Sequence, residues 1–299
     1  MISRVPFDLR DWSTERLARV EHALSTWVPV EAPAQLGAAM RYAVLDGGKR
    51  LRPLLVLGAA EAVQGNADAA LRAACAVELI HAYSLVHDDM PCMDNDVLRR
   101  GKPTVHVQFG QATALLAGDA LQALAFELLA PAGAGLPDRE QAPLTGLLAQ
   151  AAAHAGMAGG QAIDLAAVGC ALTEQELRQM HRLKTGALLQ ASVAMGAACG
   201  DADARAGAAL ETYGRAIGLA FQVVDDILDV TADSATLGKT AGKDAAQDKP
   251  TYVSLLGLER ARAYAGELLA QAHGALAGTG LADTRALAAL ADMVVHREN

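Results

Sequence analysis

Residues 68–94 read DAALRAACAVELIHAYSLVHDDMPCMD, and this stretch decides the fold. Alanine and leucine dominate it and β-branched side chains are few, which is the composition of a helix. At about 100° per residue, His81, Ser84 and Asp88 fall on one face, and His81 and Asp88 are offset by only roughly 20° over two turns. A polar stripe therefore runs down an apolar helix and ends in carboxylates. Asp88 and Asp94 would stand about 240° apart around an ideal helix, so they share a face only if the chain bends. Pro91 supplies the bend, because it disfavours helical geometry at Met90 and removes a backbone donor. The expectation is a break that swings Asp94 back beside Asp88. Acids at a helix C-terminus are disfavoured by the dipole and want a cation.

A second acidic run lies at residues 221–230, FQVVDDILDV. Asp225 and Asp229 are i and i+4 and share a helical face, with Gln222 on the same side. Val223, Val224, Ile227 and Leu228 surround them with apolar surface. Like charges at this spacing destabilise a helix unless something neutralises them, and buried carboxylates need a partner or a metal. Two oxygen-only clusters facing one cavity suit Mg²⁺, which takes one or two carboxylates and completes its shell with water and substrate phosphates. The inference is an enzyme that holds a diphosphate through magnesium.

The 299 residues are 52% hydrophobic and only 4% aromatic, so Ala, Leu and Val must fill the interior. The reading is an all-α chain, and a single domain over residues 1–299 because no composition shift marks a boundary. No 18-residue stretch is both apolar and free of charge, so no membrane span is expected. The N-terminal MISRVPFDLRDW, charged at Arg4, Asp8, Arg10 and Asp11, lacks the apolar core of a signal peptide. Cys75, Cys92, Cys170 and Cys199 show no metal-binding spacing and read as reduced, mostly buried thiols, which points to the cytoplasm. A net charge of −9 argues against nucleic acid as a partner. It does not argue against an anionic substrate, since local cations and metal ions invert the sign within one cleft.

Helical patterns run over residues 12–28, 34–47, 51–64, 68–90, 105–130, 142–168, 173–199, 203–230, 251–275 and 283–297. Loops are expected at 131–143 and 201–204. The polar stretch 231–250, TADSATLGKTAGKDAAQDKP, carries Lys239, Lys243 and Lys249 and has the length of a lid.

Cations gather near the acidic runs. Residues 47–53, GGKRLRP, place Lys49, Arg50 and Arg52 behind two glycines at the start of an apolar helix, an arrangement suited to an anion. Residues 99–103, RRGKP, follow the first acidic run, which suits a metal-bound anion flanked by the guanidinium forks of Arg99 and Arg100. Lys184-Thr185-Gly186 interrupts an apolar helix. Residues 159–164, GGQAID, offer close backbone approach and two polar groups.

Together GGKRLRP, HAYSLVHDDMPCMDND, RRGKPT, GGQAID, KTG, FQVVDDILD and LGKT with KPTY resemble the motifs of the trans-isoprenyl diphosphate synthases, most closely the bacterial farnesyl diphosphate synthases, from about Met40 to the C-terminus. The resemblance implies an all-α isoprenoid synthase fold, about ten or more helices around a deep central cavity, and a homodimer. It implies head-to-tail condensation: dimethylallyl or geranyl diphosphate ionises, the allylic cation alkylates the double bond of isopentenyl diphosphate, and a proton is lost to give farnesyl diphosphate. Carried over by motif, Asp88, Asp94 and Asp225 bind Mg²⁺, as three ions bridged to the substrate diphosphate, with Asp89 and Asp229 in support. Arg99, Lys184 and Lys239 hold the allylic diphosphate. Lys49, Arg52, His81 and Arg100 hold isopentenyl diphosphate. Thr185 and Gln222 line the region where the cation forms.

In that family a bulky aromatic five residues before the first aspartate floors the substrate tunnel. Tyr83 holds that position and Ser84 the next. Tyr83 implies a stop at C15, whereas Ser84 alone leaves room for more. Geranylgeranyl or geranyl diphosphate is the alternative product, and the plant geranylgeranyl enzymes share the spacing of the first acidic run. A terpene cyclase would carry an Asn/Ser/Glu motif in place of the second run and has no use for Lys49 and Arg52. A catalytically silent regulatory subunit can shed an acidic or basic motif at no cost to its fold, yet the motifs here stand complete.

Overall fold

The computed structural model describes residues 7–45, 47–133, 135–170, 172–231 and 251–297, and these are mostly helical. α1 (Leu9–Trp27) opens on Asp8, whose carboxylate accepts from the Asp11 amide at 3.0 Å. α2 (Leu36–Val44) and α3 (Leu51–Ala62) follow. α4 (Ala67–Asp88) starts at Asn66, whose side-chain oxygen accepts from the Asp68 and Ala69 amides, satisfying two donors that the first turn leaves open. Next come a hairpin of β1 (Leu98–Arg99) and β2 (Lys102–Pro103), then α5 (Val105–Phe109) and α6 (Gln111–Leu129). α7 (Asp138–Ala152), α8 (Met157–Ala166) and α9 (Glu174–His181) lead into a π-helical turn (Arg182–Gly186) that continues as α10 (Ala187–Ala198). α11 (Ala204–Thr231), α12 (Tyr252–Leu256), α13 (Leu258–Gly278) and α14 (Arg285–Val295) complete the order.

α3 and α10 form the middle of the bundle. Val56 and Leu188 face an apolar cluster built with Leu24 of α1, Leu79 of α4, Leu121 of α6 and Leu148 of α7. Leu55 and Leu189, their neighbours in sequence, face a second cluster with Ile217 of α11, Leu268 of α13 and Leu290 of α14. Burial of each such side chain contributes about 1.5–3 kcal/mol relative to exposure. The Arg50 guanidinium joins three elements inside the first half: it donates to Glu21 Oε1 of α1 at 2.6 Å, to Glu78 Oε1 of α4 at 2.7 Å and to the Val44 carbonyl of α2 at 2.5 Å.

Several expected boundaries move. The pattern over 105–130 reads as one helix, but Gly110 sits at φ 86° and divides α5 from α6; Gly257 at φ 78° divides α12 from α13 in the same way. The expected helix 142–168 is two, α7 and α8, and the loop expected over 131–143 ends early. α7 begins at Asp138, with Asp138 and Glu140 in its first turn, where negative charge meets the positive end of the dipole. No strand was expected; the hairpin forms because Arg100 and Gly101 both take positive φ (52° and 75°), as a two-residue type I′ turn requires.

Among the described residues two helices, α4 and α6, are long and apolar enough to cross a membrane by length and composition alone; the apolar window of α4 is 67% buried inside the bundle and that of α6 39%. All four cysteines are free thiols. Cys75 and Cys199 are buried, but Cys92 and Cys170 are exposed, which corrects the expectation of mostly buried thiols. Cys92 lies in the turn that Pro91 forces and Cys170 in the connection after α8, so neither lies in a helix that packs.

Candidate active site

The face of α4 predicted from its spacing lines a cavity of about 370 Å³, in which His81, Tyr83, Ser84 and Asp88 meet Arg52 of α3, Gln161 of α8 and Lys184 and Thr185 of the π-turn. The chain folds back beyond α4 as Pro91 requires. The Asp94 amide donates to the Asp88 carbonyl at 2.9 Å, and those of Asn95 and Asp96 donate to Met90 and Asp89 at 3.1 Å. Asn95 takes φ 51° to close the turn. Asp94 is thereby carried to Asp88. Burial pushes the Asp88 carboxyl up to about 6, with Lys184 and Arg99 pulling it down and Asp94 and Asp89 adding to the rise. A carboxyl whose charged form is held back by burial and like charge gains from a cation. Asp89 points the other way, and Arg99 clamps it with Nε at 2.9 and 2.8 Å from its two oxygens and Nη2 at 2.5 Å from Oδ1.

The basic residues divide. Arg50 is turned inside, as described above. Arg52 is half-buried beside His81 on the cavity wall, and burial, then the charges of Arg52, Arg100, Arg99 and Arg50, hold His81 well below its ordinary value, which favours the neutral imidazole. Arg100 donates through Nη1 to the Gly47 carbonyl. Its guanidinium fills the space where a Cβ of Gly48 would lie, 2.7–2.9 Å away. Residue 48 is a glycine because its backbone takes φ 132°, a conformation that side-chain-bearing residues rarely adopt. Burial and the neighbouring Arg297 both lower the affinity of Lys49 for its proton, and Asp225 opposes them. A region so rich in cations, with one neutral imidazole, suits an anion. Arg99 and Arg100 themselves line a smaller recess beside the cavity, with Tyr42, Asp89 and Lys102.

The glycine pair of α8 does what close approach requires: a Cβ at Gly160 would overlap the backbone of Lys184. Lys184 Nζ reaches Asp164 Oδ2 at 2.5 Å. Thr185 Oγ1 donates to Gln222 Oε1 at 3.1 Å, Gln222 Nε2 donates to Asp226 Oδ1 at 2.8 Å, and Asp226 Oδ2 accepts from the Tyr252 amide at 2.7 Å. The π-turn thus fixes Lys184 and Thr185 on the cavity wall, with α11 and α12 behind them. π-turns inside helices are frequent at functional sites. Gln161 is buried, and neither amide atom has a hydrogen-bond partner among the described residues, which leaves it available to a ligand.

Asp225 does not line that cavity. Its carboxylate meets Arg297 Nη2 at 3.3 Å, and the same nitrogen donates to the Phe221 carbonyl at 2.8 Å while the guanidinium covers the Phe221 ring at 4.0 Å. Asp229 is buried at 8% exposure and Asp226 at 2%, so the three acids of the second run have three environments. Lys239 and the rest of the expected lid, residues 232–250, lie outside the described residues. Arg297 and Asp164 were not singled out as site residues. Asp164 was marked only as a polar group of its motif, and Arg297, 72 residues beyond its partner, gave no signal in the local pattern.

The model of the family described as polyprenyl synthetase matches residues 33–285. The chain is 51% identical to the farnesyl diphosphate synthase of Escherichia coli over 86% of this chain and 88% of that protein. It is 46% identical to the chloroplastic geranylgeranyl pyrophosphate synthase of Capsicum annuum over 98% of this chain and 80% of that one. Among solved structures, an FPP/GFPP synthase from Zymomonas mobilis superposes with a TM-score of 0.86 at 41% identity, covering 96% of this chain and 98% of that one.

Proposed function

The chain belongs to the polyprenyl synthetase family, a family of prenyltransferases, and from that premise we propose that it condenses isopentenyl diphosphate with dimethylallyl or geranyl diphosphate to give farnesyl diphosphate. The observation that carries this reading is the single cavity in which Arg52, His81, Asp88, Lys184 and Thr185 meet, with Tyr83 on its wall. The donor set suits Mg²⁺, on which the family generally depends: Asp88, Asp94 and Asp225 offer only oxygen, and the raised Asp88 carboxyl gains from a cation. Among the described residues no three carboxylate, thiol or imidazole groups converge on one point, so water and phosphate oxygens would complete each shell. Three bound ions are part of the proposal. When bound, Mg²⁺ neutralises charge developing on the diphosphate as the allylic C–O bond breaks.

The roles of the chain's own groups follow from their partners. Lys184, held by Asp164, and Arg99, held by Asp89, present fixed cations to the allylic diphosphate; Lys239 joins them on its motif alone. Lys49, Arg52 and Arg100 take the isopentenyl diphosphate, and neutral His81 offers it an N–H without adding another buried charge. The Thr185 hydroxyl gives its proton to Gln222, so only lone pairs remain to face the cavity. Oxygen lone pairs in an apolar, water-poor site suit an allylic cation. The attacking double bond forms the new C–C bond, and the proton lost goes to the departed diphosphate, so no side-chain base is needed.

Tyr83 as the floor supports C15. Geranylgeranyl diphosphate is the second reading, favoured by small Ser84 and by the 46% identity to the plant enzyme. The proposal also takes the chain as one domain, supported by α3 and α10 feeding both apolar clusters, and as a cytoplasmic homodimer without a membrane span.

The test is a product assay with isopentenyl and dimethylallyl diphosphates, in Mg²⁺ or EDTA, with the dephosphorylated alcohols separated by length. Farnesol formed only with Mg²⁺ is the expected result. Geranylgeraniol would move the product to the second reading. No prenyl alcohol from folded protein would replace the enzyme with a silent subunit.

A further inference from the structure

His87 has no part in the roles above, yet it is held more deliberately than a surface histidine. It stands one turn beyond Tyr83 on α4, and the two rings meet edge to face with centroids 5.7 Å apart and planes at 76°. Both rings line the cavity. On its far side the imidazole crosses to α6, where Nε2 lies 3.0 Å from the Leu115 carbonyl. A carbonyl only accepts, so Nε2 carries the proton. The ring lies in a socket that exists because residue 118 is a glycine: a Cβ there would overlap Nε2 and Cδ2 and stand 2.7 Å from Cε1. Tyr83 thus leans on a ring pinned to a different helix by one hydrogen bond and one missing side chain.

A floor works only if it does not yield. A lengthening apolar chain pressing on Tyr83 can turn the phenol about its side-chain torsions unless something behind it stays still. We propose that His87, seated in the Gly118 socket of α6, is a positioning residue for product length that braces the Tyr83 ring. This rests on the reading of Tyr83 as the floor.

The test compares products from isopentenyl and geranyl diphosphates with Mg²⁺ for the unsubstituted protein, Tyr83→Ala, His87→Ala, Gly118→Ala and the His87→Ala/Gly118→Ala pair, each shown folded by circular dichroism. The readout is the ratio of C20 to C15 alcohol, which a loss of stability alone does not move. His87→Ala is expected to raise it at least fivefold although Tyr83 is intact. Gly118→Ala is expected to change it too, since the methyl displaces the imidazole. The pair should match His87→Ala alone, because the methyl then occupies vacated space. Should His87→Ala fail to fold, His87→Gln removes the ring while keeping a donor at the Nε2 position for Leu115, and the same rise is expected. An unchanged ratio in the His87 variants, with a raised one in Tyr83→Ala, overturns the brace and leaves the floor standing. An unchanged ratio in Tyr83→Ala as well overturns the floor and the brace together.

Discussion

Asp226 holds two donors at once, Gln222 Nε2 at 2.8 Å and the Tyr252 amide at 2.7 Å, and so sets where the Gln222 oxygen points. In Asp226→Asn one of those donors faces an NH₂ group instead of an oxygen. The expected outcome is a loss of roughly 1–3 kcal/mol in urea unfolding, together with a fall in kcat because Gln222 and Thr185 lose their alignment. Retained kcat at reduced stability would separate Asp226 from the catalytic wall. His181 gives a pH effect of defined sign. Burial pushes it down to about 4, with Asp164 opposing and Lys184 assisting, and it stacks on Tyr252 at 5.5 Å. Below about 6.5 the unfolded chain takes a proton that the folded chain refuses. Stability should therefore fall as pH drops from about 6.5 to about 4, by on the order of 3 kcal/mol from this one group. His181→Phe keeps the stacked ring and removes the titration, so its urea midpoint should vary less with pH over that window.

At the scale of elements, the π-turn is the part on which the catalytic wall depends, and α8 is packed against it through Gly160. Gly160→Ala forces a methyl into the Lys184 backbone. Overpacking of this kind costs roughly 1–3 kcal/mol, and here the displaced segment carries Lys184 and Thr185. The expected result is a drop in kcat larger than the drop in melting temperature would explain, measured on protein kept well below its transition. The acidic face of α4 and the fold-back at Pro91 were legible because helical period and proline sterics act locally. So was the close approach at Gly159 and Gly160. The breaks at Gly110 and Gly257 were not, since a lone glycine inside an apolar pattern is equally compatible with a continuous helix. Its positive φ is chosen by where the next helix must pack. The π-turn was visible only as an interruption at Lys184-Thr185-Gly186.

At the scale of the whole molecule, the first half of the bundle is tied together by Arg50, whose side chain is 3% exposed, with that of Glu78 at 4%. It links α1, α2 and α4 from the start of α3. Arg50→Met leaves the buried Glu78 charge without its partner, and breaking such a pair costs about 3–5 kcal/mol. The expected result is a markedly lower melting temperature, partly restored by Glu78→Gln in the same chain, as a double-mutant cycle would register. The sequence alone determined the helical class, the two acidic runs, the cations beside them and the family, because composition, 3.6-residue period and motif spacing are properties of short stretches. The tertiary structure alone decided which charges are paired and with whom. Arg50 turns inward to Glu78 while Arg52, two residues on, faces the cavity. Asp226 serves the backbone while Asp225 meets Arg297, and His87 finds a socket at Gly118. These choices depend on desolvation and on contacts between residues far apart in the chain, and no local pattern encodes either.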